Sequence, residues 1–137
     1  MNSREGAKRR APLLVADRAE QTAGDVVAYF GARGIAAESA RTRAQALAAL
    51  EGPERIGVLV DLWLDDAHRA DGLDVISEAR RRFPRVPILA FSPVTDGLHA
   101  QNARKNGADL VLRKPLSLHR VEAIVRDLVA LRGDAGR

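Results

Sequence analysis

The sequence predicts an α/β fold, an open, doubly wound sheet of five parallel strands with helices on both faces. Three observations predict it. Five short apolar runs recur along the 137 residues, and each is followed by a segment of helical period. The run IGVLV, Ile56 to Val60, is apolar at every position, as suits a strand covered on both faces. Strand–helix units in series imply a parallel sheet, and five of them are too few to close an eight-stranded barrel.

PLLVA, Pro12 to Ala16, is the first strand. Ala19, Ala23, Val26 and Phe30 then share one helix face, and Gly34 ends that helix. IAAES, Ile35 to Ser39, is a short second strand; Thr42 is an N-cap, and Ala46, Leu47 and Leu50 make a second helix stopped by Gly52-Pro53. The third strand, Ile56 to Val60, precedes a helix carrying Leu73, Ile76, Ala79 and Phe83, which must end before Pro84. VPILAF, Val86 to Phe91, is the fourth strand, followed by a weakly apolar helix from Leu98 to Asn106 that stops at Gly107. LVLR, Leu110 to Arg113, is the fifth strand. Ser117 caps a last helix with Leu118, Val121, Val125 and Leu128 on one face, and the closing RGDAGR reads as a frayed tail. The expected boundaries are a disordered basic tail over 1–10, one domain over 11–132 and a C-terminal tail over 133–137.

Composition narrows the function. No cysteine is present, which excludes disulfides and thiolate metal sites. No apolar run approaches the roughly 20 residues that span a bilayer, and the basic start MNSREGAKRR leads into no signal-peptide core, so the expected compartment is the cytoplasm, with no membrane partner. The net charge of +4 raises nucleic acid as a partner, but the arginines are scattered and no aromatic interleaves with a basic run, which argues against it. ARRRFPR, Ala79 to Arg85, puts cations at a helix end, where they complement the dipole without any ligand. There is no G-x-G-x-x-G cradle and no G-x-S-x-G elbow, and His68, His99 and His119 lack metal-site spacing. No flavin site or separate acid–base pair is evident, so the reading is not an enzyme.

In an open parallel sheet, chemistry gathers beyond the carboxyl ends of the strands. Those ends carry Asp17, Asp61, Ser92 and Lys114-Pro115. Taken singly, each has an ordinary explanation: an aspartate capping a helix or turn, a turn serine, a surface lysine. Together they bring two carboxylates, a hydroxyl and an ammonium to one crevice. Such a set suits a phosphoryl site: a carboxylate nucleophile, a second carboxylate for Mg²⁺, and a hydroxyl and a lysine for the phosphoryl oxygens.

LLVAD, VLVD, DGLDVI, PILAFSP, NGAD and LVLRKPLS, in this order and spacing, resemble the receiver domain of bacterial two-component response regulators over residues 11 to about 132. The resemblance implies the flavodoxin-like (βα)5 sheet and a phosphorelay signalling role. It makes Asp61 the phosphoacceptor, Lys114 its paired lysine, and Ser92 the hydroxyl that follows the phosphoryl group. It also makes Asp17, Asp61 and the backbone carbonyl of Trp63 ligands of Mg²⁺. The implied partners are a sensor histidine kinase or phosphotransfer protein upstream and a protein docking on the helix four–strand five–helix five face downstream. Arg104, Lys105, Arg113 and Arg120 make that face suit an acidic partner, and a homodimer through it is compatible with the pattern.

The chain departs from the family at four places. Arg18 stands where the second acid of the strand-one pair is usual, and a guanidinium cannot bind metal. Val111 replaces the strand-five aromatic, and Asp65 replaces a proline. The loop after Asp61 is about three residues longer, and it offers Asp65 or Asp66 as a substitute ligand. Two readings follow. In one, Asp61 is phosphorylated with Mg²⁺ bound. In the other, Arg18 takes the place of the metal, pairs with Asp61, and the chain is a phosphorylation-independent interaction module.

Overall fold

The computed structural model describes residues 12–64 and 71–135, with side chains as far as 132. Ten elements follow in strict alternation: β1 (Leu13–Ala16), α1 (Glu20–Ala32), β2 (Ala37–Ala40), α2 (Arg43–Ala49), β3 (Val58–Asp61), α3 (Gly72–Arg82), β4 (Ile88–Ser92), α4 (Leu98–Asn106), β5 (Leu110–Arg113) and α5 (Leu118–Ala135). The strands form one parallel sheet in the order β2-β1-β3-β4-β5. Strands two, three and four each sit one or two residues later than the apolar runs suggest. The parallel ladder selects the segment that finds partners on its neighbours, so Asp61 and Ser92 become the last residues of β3 and β4.

Alternation along the strands divides the core in two, because successive side chains leave a strand on opposite faces. Leu14, Ala16, Val58, Val60, Ile88 and Ala90 pack under α2, α3 and α4, with Ala46, Val75, Ile76, Ala79, Ala100 and Ala103. Leu13, Val15, Leu59, Leu89, Phe91 and Leu112 face α1 and α5, meeting Val26, Phe30, Val121 and Val125. The apolar runs are thus continuous because both faces are covered, and the sheet centre is buried completely.

The expected caps are present. Thr42 Oγ1 accepts from the Gln45 amide at 3.0 Å, and Ser117 Oγ accepts from the Arg120 amide at 3.3 Å. Gly72 is required by close approach, since a Cβ there would lie 2.4 Å from the Asp61 carbonyl oxygen. Its amide donates to Leu62 O at 3.0 Å, so α3 begins hard against the end of β3.

The last helix corrects the sequence reading: it runs to Ala135 where a frayed tail was expected from Arg132. The reason is Arg132, which donates to Val86 O at 2.9 Å and to Asp109 Oδ2 at 3.0 Å, holding the end of α5 to the sheet. A second unforeseen polar network joins α1 to α5. Glu122 is buried yet charged; it accepts from Tyr29 Oη at 2.9 Å and Arg126 Nε at 2.8 Å and pairs with Arg33. The Arg33 guanidinium, aided by Arg126 and the Tyr29 hydroxyl, holds the Glu122 carboxyl down to about 2 against the opposing effect of burial. No helix among the described residues is long and apolar enough to cross a membrane.

Candidate functional site

The carboxyl edge of the sheet carries three of the buried polar side chains among the described residues, Asp17, Asp61 and Ser92. Asp17 follows β1 and is fully buried; Asp61 closes β3 and is 5% exposed. Lys114 follows β5, positioned by a backbone hydrogen bond from its amide to Ser92 O at 3.0 Å and by the cis peptide to Pro115. Its ammonium bridges the two carboxylates, 2.9 Å from Asp17 Oδ2 and 3.1 Å from Asp61 Oδ2.

The other oxygen of each aspartate serves the backbone. Asp17 Oδ1 accepts from the Ala19 amide and Asp61 Oδ1 from the Trp63 amide, both at 2.9 Å. These are local turns of the kind that aspartate makes at strand ends. The turn explanation and the chemical one therefore hold together, one oxygen each. The turns fix the carboxylates in orientation, and Lys114 compensates their charge. Burial raises the Asp61 carboxyl above its ordinary range, and nearby Asp17 raises it further; the Trp63 amide and Lys114 offset this only in part. Burial pulls Lys114 down, but its hydrogen bond to Asp17 and the charge of Asp61 outweigh that, and the ammonium is held above its usual value.

A pocket of about 350 Å³ opens over this trio, lined by Asp17, Arg18, Ala19, Asp61, Trp63, Pro93 and Lys114. It brings together Asp17, Asp61, Trp63 and Lys114 from the expected set. Ser92 is buried at the end of β4, and its hydroxyl accepts from the Val94 amide at 3.2 Å; Pro93, not Ser92, lines the pocket. Asp65 and Asp66 lie outside the described residues. Among the described residues no group of three or more acidic or histidine side chains is placed to hold a metal. Of the expected oxygen ligands, Asp17, Asp61 and Trp63 line this pocket, and two carboxylates with waters are a set that Mg²⁺ accepts.

The pairing of Arg18 with Asp61 is not made. Both Asp61 oxygens are engaged by Trp63 and Lys114, and Arg18 is exposed at the pocket rim. A contact that no motif or spacing signals links the site to α4. The Trp63 ring meets His99 edge to face, with centroids 4.7 Å apart at 74°. Thirty-six positions separate these residues, and only the packing of α4 beside α3 makes them neighbours.

Because folding raises the Asp61 carboxyl, the native state binds its proton more tightly than the unfolded chain does. Its contribution to stability is present at acid pH and is lost as pH rises through the folded value. Asp61→Asn removes that loss while keeping an acceptor for the Trp63 amide. Melting curves in metal-free buffer should therefore show the variant gaining on the wild type as pH rises above about 4. A Tm difference that stays flat over that rise would show that Asp61 is not displaced upward.

The model of the response regulator receiver domain matches residues 13–126. The nitrogen assimilation regulatory protein NtrX of Azorhizobium caulinodans is 30% identical over 121 residues, covering 88% of this chain and 26% of that protein. The chain spans 26% and 22% of the length of the curated relatives it matches. Among solved structures, a CheY-like receiver domain protein from Methanospirillum hungatei superposes with a TM-score of 0.83 at 16% identity, covering 93% of this chain and 99% of that one. A response regulator protein from Burkholderia pseudomallei, which carries a phosphorylated aspartic acid and a calcium ion, superposes with a TM-score of 0.75 at 26% identity, covering 90% and 72%. With the flavodoxin-like sheet and the acid–lysine pocket at its carboxyl edge, the chain belongs to the response regulator receiver domain family and is a receiver domain of two-component signal transduction.

Proposed function

We propose that Asp61 accepts a phosphoryl group from a sensor histidine kinase or a phosphotransfer protein, and that the change is relayed by protein contact. The observation that carries this is the Lys114 ammonium bridging two buried carboxylates in one open pocket. An Asp61 oxygen attacks phosphorus, the bond from phosphorus to the donor nitrogen breaks, and the departing imidazole leaves with its electron pair. Lys114 lies close enough to follow the new charge from the carboxylate to the phosphoryl oxygens. The turn bond from Trp63 keeps the carboxylate from rotating away during the attack.

Receiver domains typically bind Mg²⁺ at this place. Asp17, Asp61 and the Trp63 carbonyl would hold it here, and it would supply neutralisation of the phosphoryl oxygens. Output would leave through α4, β5 and α5. Leu98 at the start of α4, Leu110 at the start of β5 and Val94 in the loop before α4 are exposed, as are Arg104, Lys105, Arg113 and Arg120 along the same elements, so an acidic partner with an apolar anchor fits.

Incubation with magnesium and a small phosphodonor should add the mass of one phosphoryl group, and Asp61→Asn should remove the gain. Ser92→Ala should slow the gain without abolishing it, since the hydroxyl is engaged beside the pocket rather than in it. An unaltered mass in the wild type, or a gain that survives Asp61→Asn, would defeat the proposal.

A further inference from the structure

We infer that Arg18 is a phosphoryl-binding residue: from the rim of the Asp61–Lys114 pocket its guanidinium takes oxygens of the anion arriving at Asp61, supplying neutralisation that a divalent cation would otherwise provide. The inference rests on Asp61 being the phosphoacceptor.

Arg18 lines the same pocket as Asp61 and Lys114. It sits inside the turn closed by the hydrogen bond from the Ala19 amide to Asp17 Oδ1, so its backbone is tied to a fully buried carboxylate. Its side chain is exposed, and no hydrogen bond or ion pair engages it among the described residues. The two carboxylates do not consume it, because each spends one oxygen on a turn and the other on Lys114. A guanidinium left free at the mouth of a pocket meets whatever anion enters.

The charge balance points the same way. Asp17 and Asp61 are offset by Lys114 and Arg18, so the pocket is neutral as it stands. Transfer replaces one negative charge on Asp61 by about two on the phosphoryl group. With Arg18 present, only one charge is then left uncompensated. Without it, Lys114 alone would face three. The planar fork of a guanidinium matches two phosphoryl oxygens at once, which an ammonium cannot do. The same cation weakens the hold of Asp17 and Asp61 on Mg²⁺, so dependence on metal falls as dependence on Arg18 rises.

The test compares wild type, Arg18→Ala, Arg18→Lys and Arg18→Asp, with phosphoramidate as donor, in chelator and in magnesium. Transfer is followed by intact mass, and binding of inorganic phosphate is followed by fluorescence of Trp63, the only tryptophan. In chelator the wild type should be phosphorylated. Arg18→Ala should raise the KM for phosphoramidate and the midpoint for phosphate by about tenfold, and Arg18→Lys should recover only part of this. Arg18→Asp should react only with magnesium present. Equal KM and equal phosphate midpoints in wild type and Arg18→Ala would overturn the role of Arg18 while leaving Asp61 as acceptor. A wild type that binds phosphate through Arg18 yet never gains mass would instead overturn Asp61 as acceptor and keep the anion site.

Discussion

Lys114→Met should cost about 3 kcal/mol of folding stability at neutral pH in metal-free buffer. The methionine stem replaces most of the lysine's packing, so the loss is electrostatic. Asp17 and Asp61 would face each other, fully buried and 5% exposed, with no cation between them. Removing one partner of a buried ion pair leaves a charge that neither water nor protein compensates. Lys114 is itself about one-quarter exposed, which places the cost at the lower end of the range for such losses. Acid should relieve it: with Lys114 gone, one carboxyl takes up a proton readily, and below about pH 5 the deficit should shrink by more than half. Adding Asp61→Asn to Lys114→Met should also restore much of the stability, since a single carboxylate then remains. Urea titrations at neutral and acid pH would measure all three values. A neutral-pH loss below about 1 kcal/mol would mean that solvent reaches the trio and that burial is not what sets its chemistry.

The trio also marks the limit of what the sequence discloses. Strand–helix alternation is enough to place Asp17, Asp61 and Lys114 at one edge, because parallel strands all point their carboxyl ends the same way. It does not say which oxygen of an aspartate turns back to its own backbone and which faces the lysine; that is decided by side-chain rotation, and no spacing rule records it. Ser92 shows the same limit. Its place at the end of β4 was legible, but the Val94 amide claims its hydroxyl. Trp63 and His99 meet only because α4 packs where it does. The pattern along α5 was legible as far as Leu128, beyond which apolar period fades. What continues the helix there is an ion pair to a residue 23 positions earlier, and periodicity is silent on such contacts.

That ion pair belongs to the largest structural effect expected away from the pocket. Asp109→Ala should destabilise the domain by about 3 kcal/mol. Asp109 stands before β5, at the sheet edge opposite the phosphoacceptor. Its Oδ2 accepts from the Ile88 amide at 2.8 Å, Arg132 Nη1 at 3.0 Å and Arg80 Nη2 at 3.1 Å, and Arg132 Nη2 pairs with Oδ1. One carboxylate thus ties α3, the start of β4 and the end of α5. Alanine leaves the Ile88 amide without its acceptor and two guanidiniums without a counter-charge. Arg80 retains the carbonyls of Gly107, Pro84 and Val86, so its share of the loss is the smaller. Asp109→Asn, which still accepts from Ile88, should cost roughly half as much. Arg132→Ala should open the last turns of α5 to hydrogen exchange. Combined with Asp109→Ala it should add little further loss, because both changes remove the same contact. Transfer to Asp61 should be unaltered in Arg132→Ala, since the lock lies at the far edge of the sheet. Additive losses in the double variant, or unchanged exchange at the end of α5, would show that the helix holds its length without Asp109.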